Sequence, residues 1–189
     1  MLTAMNSKLS MKLKNKEKSD THLTVRELTI LALSAALLFV LQVALGFLPN
    51  IEITSLLIII FTLIYRFKTL YIIYTFALLE GLFYGFGIWW LMYLYVWTIL
   101  FIVTYLLRKN QSVLEWAIIS SMFGFAFGFL CAIPYLFIGG AGAMLAWWGA
   151  GIPYDIVHGI GNFFVALFLF KPLYSLIGRI YNKVGDYAN

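Results

Sequence analysis

Gly151–Asn162, GIPYDIVHGIGN, places three hydrogen-bonding side chains, Asp155, His158 and Asn162, at the head of an apolar run that continues to Leu176. On a helix, residues three and four apart lie on one face, so the three form a single polar stripe. The chain around it is too apolar for such a stripe to be incidental. Of 189 residues, 63% are hydrophobic and 11% charged, against about half and about a quarter in soluble domains. There are too few polar residues to cover a water-exposed surface. The expected fold class is an all-α integral membrane protein, with the stripe turned inward toward a small-molecule site.

Working outward, the apolar runs predict helices over 25–48, 51–65, 69–86, 91–107, 113–137 and 153–176. A crossing needs about 20 residues. The second run is short and must extend into its flanks or be buried by its neighbours. The runs are continuous and do not alternate, which excludes a transmembrane β-barrel. All 13 Lys and Arg fall in the N-terminal tail or just after it at Arg26, around 66–68, at 108–109, or toward the end of the sixth run and its tail. The positive-inside rule then predicts a six-helix bundle in the cell membrane with both termini cytoplasmic. Residues 1–23 read as a basic tail, disordered or lying on the surface, 24–180 as the membrane domain, and 181–189 as a second tail. The net charge of +5 sits in tails and loops, so no nucleic-acid partner is expected. The first apolar run is long enough to span, which argues against a cleaved signal peptide.

Thr24 and Glu27 have the spacing of a capping box. Ala32, Ala35 and Ala36 make a small-residue face on the first helix where another helix could approach. Glu52 is expected to favour the N-terminus of the second helix. Glu80 lies ~18 Å into the third helix at 1.5 Å per residue. No Lys or Arg shares its half of the bundle, so within the chain only His158 could pair with it. An intramembrane acid of this kind is a functional hypothesis by default. Tyr84 follows one turn further out. Asp155 suits either a helix N-terminus or a ligand, whereas His158 and Asn162, one and two turns deeper, have no capping role. Trp89, Trp90, Tyr93 and Trp97 on the fourth helix, with Trp147 and Trp148, would supply aromatic walls. The last two belong to the glycine-rich connection 138–153, which reads as a lid or as a re-entrant segment with interfacial anchors. Pro134 is expected to kink the fifth helix. Together these residues suit a small heteroaromatic ligand bearing hydroxyls or a basic nitrogen.

Several chemistries lack their residues. There is no Walker A motif, no HExxH and no GxSxG, and Cys131 is alone. No cofactor, metal or catalytic residue is expected. An intramembrane enzyme should show a nucleophile–base pair, and a purely structural protein has no reason to keep Glu80.

Residues 24–180 resemble the substrate-binding membrane subunits (S components) of energy-coupling factor (ECF) vitamin transporters. The likeness is carried by Ala32-x-x-x-Ala36, by NIE at 50–52, by LLEGLFYGFGIWW at 78–90 and above all by IPYDIVHGIGNFFVALFLFKPL at 152–173. It implies a capture subunit that binds a B-vitamin or precursor in the outer half of the bundle. Its partners would be a shared transmembrane coupling subunit, met at Ala32 and Ala36 with Ala35 beside them, and two ABC-type ATPases. The stretch is most similar to members assigned to hydroxymethylpyrimidine or pyridoxine. Thiamine and pantothenate are the alternatives, the anionic one disfavoured by the absence of Arg or Lys near the site.

Overall fold

The structure is a computed structural model describing residues 23–48 and 51–186, with side chains through 183. The basic tail and the Pro49-Asn50 turn lie outside the described residues. The chain divides into two units between Ile30 and Leu31.

In the first unit the capping box forms: the Glu27 N–H donates to Thr24 Oγ1 at 3.2 Å, and the Thr24 N–H donates to Glu27 Oε2 at 3.1 Å. This starts helix α1, Val25–Leu45.

Beyond α1 come α2, Thr54–Tyr65, a short 3₁₀ turn at Arg66–Lys68, α3, Thr69–Tyr84, α4, Ile88–Leu106, and α5, Val113–Asp186. No strand occurs among the described residues. The sequence TSLLIIIFTLIY of α2 is apolar all round, and a helix of that kind belongs in a core. Every residue from Thr54 to Thr62 is buried, which resolves how so short a segment is accommodated.

The long α5 departs from the expected pair of helices joined by a flexible connection. Residues 141–152 are helical and run without a break into the helix over 153–186. The backbone leaves helical geometry at Gly140, where φ is 76° and ψ −175°; glycine tolerates that φ without strain. Pro134, expected to kink its helix, lies inside it. The chain folds back at Gly140 into two arms, 113–139 and 141–186. Their direction is set by the contacts between them. Tyr135 stacks on Trp147, Phe129 meets Trp148, Phe127 meets His158 and Trp116 stacks on Phe170, so one arm descends as the other climbs.

Side-chain contacts order the rest of this unit in the same way. Trp90 donates to the Ala77 carbonyl, Phe76 packs on Tyr93 and Trp97, and Tyr74 meets Thr98, making α3 and α4 antiparallel. Trp97 contacts Phe123 and Phe127 while Tyr95 donates to the Leu130 carbonyl, making α4 antiparallel to the first arm of α5. Glu52, Ser55 and Tyr65 meet His158, Asn162 and Tyr181 in that order, so α2 runs parallel to the second arm.

Four helical stretches, Val25–Leu45, Thr54–Tyr84, Ile88–Leu106 and Val113–Lys183, are long and apolar enough to cross a membrane. Large apolar side chains such as Leu33, Leu82, Leu106 and Phe168 are exposed, on a scale that soluble monomers avoid. This is consistent with a multi-pass membrane protein. On α1, Ala32 is exposed and Ala36 partly so, but Ala35 is fully buried and cannot belong to an outward docking face.

Candidate functional site

Two adjoining cavities lie where α1, the start of α2, the end of α3, the start of α4 and both arms of α5 come together. One, of about 200 Å³, is lined among others by Glu52, Trp97, Phe127 and His158; the other, of about 350 Å³, by Glu80, Tyr84 and Trp89. Gln42, Gly46 and Tyr93 line both, so the two are parts of one site.

Glu80 is 2% exposed, and its Oε1 is buried without a hydrogen-bond partner. The sequence allowed only His158 as a mate for this acid. In the structure His158 is instead held by Glu52, Nε2 to Oε1 at 3.2 Å. Glu52 does what a helix N-terminus asks of it: the Ser55 N–H donates to its carboxylate at 2.9 Å, and the Ser55 hydroxyl donates to it as well. The His158 ring also packs on Phe127, centroids 4.9 Å apart.

The aromatic wall comes from α4. Residues four apart share a helix face, and Trp89, Tyr93 and Trp97 meet edge to face at 5.4 Å and 5.5 Å. Trp97 is 2% exposed, and its Nε1 is buried with no acceptor. Tyr84, exposed at the rim, sets its ring at right angles to Trp89. Of the expected residues, Glu80, Tyr84, Trp89, Tyr93, Trp97 and His158 are thus gathered around one space.

The others are placed elsewhere. Trp90 is spent on packing: its indole donates to the Ala77 carbonyl at 2.8 Å and abuts Phe86. Trp147 and Trp148 stand on helix rather than on an irregular connection, and pack against Tyr135 and Phe129. Asp155 is not in a first turn, because its helical arm begins directly after Gly140. Its Oδ1 accepts the Gly128 N–H at 2.9 Å and so ties the two arms together. The Asn162 amide donates to Ser55 Oγ at 3.2 Å and to the Ser120 carbonyl at 3.4 Å, a bond network between α2 and both arms.

A pair of substitutions checks the role of Asp155. Asp155→Asn keeps the accepting oxygen and removes the charge beside Oδ2, which is buried without a hydrogen-bond partner, so it should leave ligand affinity nearly unchanged and thermal stability equal or somewhat higher. Asp155→Ala removes this tie between the arms and should lower stability by about 0.5–1.5 kcal/mol. Thermal unfolding and ligand titration of both variants decide; a large affinity loss in Asp155→Asn would make it a ligand contact after all.

Gln42, Phe127 and the His158 partner Glu52 line the site in addition to the residues expected there. Gln42 is detectable in the sequence as the lone amide in an apolar stretch, LLFVLQVAL. Glu52 is detectable as the acid at the head of an apolar run, 51–65, that holds no Lys or Arg. No protein family, curated protein or solved structure matches the chain.

Proposed function

We propose that this chain is the substrate-capture subunit of an ECF-type importer, binding a small heteroaromatic vitamin or precursor of the pyridoxine or hydroxymethylpyrimidine kind. One observation carries the reading: of the six buried side-chain polar atoms without a partner among the described residues, Glu80 Oε1 and Trp97 Nε1 are of opposite hydrogen-bonding sense and belong to residues that line the same aromatic-walled site. Buried polar atoms are nearly always satisfied, and each orphan costs about 1–3 kcal/mol. A flat ring carrying a donor for Glu80 and an acceptor for the Trp97 indole satisfies both and stacks among Tyr93, Trp97 and Phe127. Neither cavity is lined by Lys or Arg, so a neutral or basic solute fits and an anionic one such as pantothenate lacks its counter-charge.

In this reading the breaks at Arg66 and Gly140 each divide one apolar stretch into two crossings, six in all, with both termini cytoplasmic. Arg66, Arg108 and Lys171 gather around a single cavity. That cavity adjoins the end of α2 opposite Glu52, about 20 Å away at 1.5 Å per residue. The solute site then opens on the non-cytoplasmic side, where an importer meets its cargo. Energy comes from two separate ABC-type ATPases, joined through a coupling subunit that docks on Ala32 and Ala36. A hydrolase is disfavoured because the Ser55 hydroxyl donates to Glu52 and no serine hydroxyl is bonded to the His158 imidazole among the described residues.

Purification of the full chain in neutral detergent provides the test: the protein is denatured, and the released small molecule is identified by mass spectrometry. The emptied protein is then titrated with pyridoxine, hydroxymethylpyrimidine, thiamine and pantothenate, following tryptophan fluorescence. Tight binding of one of the first two is expected. Binding of pantothenate alone, or of none of the four, removes the proposal.

A further inference from the structure

The opposite end of the bundle holds a second cavity, of about 370 Å³, whose chemistry is the reverse of the first. It is lined by Arg66, Arg108 and Lys171, contributed by the 3₁₀ turn after α2, the loop after α4 and the second arm of α5. Asn110 and Gln111, from the loop before α5, add amide donors, and no acidic residue lines it. The first turn of α5 also lines it, at Val113 and Trp116, and a helix N-terminus favours an anion. The rest of the lining is largely apolar and aromatic: Leu63, Trp116, Phe170 and Tyr174. Trp116 stacks on Phe170 at 6.2 Å with 10° between the planes, and Phe170 on Tyr174 at 5.6 Å with 7°. Arg108 is already oriented: it lies 4.1 Å over the Tyr105 ring and donates to the Tyr105 carbonyl at 2.6 Å.

We infer that this cavity is a binding site for the headgroup of an anionic phospholipid. Three cations around one opening suit a phosphodiester, and the arginines add planar, bidentate geometry. A free phosphate has no use for the wall of stacked rings, whereas the glycerol and first methylenes of a lipid do. Basic pockets between membrane helices on the positively charged side are the usual setting for such headgroups. A lipid site here needs the membrane environment only; it does not depend on which solute the other cavity takes, or on whether it takes any.

The experiment uses the full chain in neutral detergent, with native mass spectrometry to count bound lipids and thermal unfolding to read stabilisation. The probes are phosphatidylglycerol, phosphatidylcholine and inorganic phosphate. Phosphatidylglycerol should bind and raise the unfolding temperature, and phosphatidylcholine should do neither. Arg66→Gln combined with Lys171→Gln should weaken phosphatidylglycerol binding roughly thirtyfold, at the strength expected of two cations at a membrane surface. A variant of equal charge, Arg179→Gln with Lys183→Gln, removes cations outside the cavity and should weaken binding only slightly. Equal losses in the two variants would reduce the effect to overall charge and refute a site. So would equal binding of both lipids. Stabilisation by inorganic phosphate matching that of phosphatidylglycerol would assign the cavity to a free anion and refute the lipid. Should the first variant fold poorly, Lys171→Gln alone, at an exposed helical position, carries the same comparison.

Discussion

Glu80→Gln and Glu80→Leu should make the protein harder to unfold while removing its ligand affinity. The two effects share one cause. Glu80 is almost wholly buried, and one carboxylate oxygen meets no donor; an acid in that state has lost its water without compensation. Glutamine keeps the shape and drops the charge, and leucine drops the polarity too. Either should raise the unfolding free energy by about 1–3 kcal/mol, a rise of a few degrees for a chain of this size. The ligand then loses a charge-assisted hydrogen bond, and affinity should fall about 10- to 100-fold. A structural acid predicts the opposite pair of results, lower stability and unchanged binding. Thermal unfolding in detergent without ligand, followed by titration of the same samples, separates the two. Reduced stability with full affinity would end the assignment of Glu80 to a solute.

What the sequence revealed and what it concealed divide along a physical line. Apolar periodicity and the positions of Lys and Arg depend on the solvent around each segment, so the helices and the basic end could be read directly. Glu80 and the wall of Trp89, Tyr93 and Trp97 could also be read, because an unpaired acid and rings four residues apart are local facts. The partner of His158 could not. Glu52 and His158 are far apart along the chain and meet only because α2 runs parallel to the second arm of α5, a matter of topology. Asp155 and Asn162 share the helix face of His158, as the spacing predicts. Yet the buried face of that helix touches several neighbours, and of the three only His158 lines the cavity. The glycine-rich stretch 138–153 misled for a different reason. Glycine weakens an isolated helix by about 1 kcal/mol per residue, but packing of Trp147 and Trp148 on the facing arm outweighs that local preference. Only Gly140 adopts a backbone conformation outside the helix.

Glycines where the two arms cross supply the second large effect. Gly124→Ala should destabilise the protein and weaken ligand binding, although Gly124 lines neither cavity of the candidate site. A Cβ at 124 would stand 2.8 Å from Gly159 Cα, 2.9 Å from its nitrogen and 2.9 Å from the His158 carbonyl carbon. These are backbone atoms and cannot rotate away, so the arms of α5 must separate. Small residues at such crossings exist to let backbones approach, and overpacking them costs about 1–3 kcal/mol. The atoms displaced belong to His158 and its neighbour, so the 3.2 Å contact between His158 and Glu52 stretches with them. A loss of about tenfold in affinity should result, at ~1.4 kcal/mol per factor of ten. Gly142→Ala supplies the contrast. Nothing lies within 4 Å of a Cβ there, and in a helix the exchange should be neutral or stabilising by up to about 1 kcal/mol. If 138–153 worked as a flexible lid, the Gly142 variant would impair binding and Gly124→Ala would spare it. A packed hairpin requires the reverse order, and measuring affinity and unfolding temperature for both variants distinguishes the two outright.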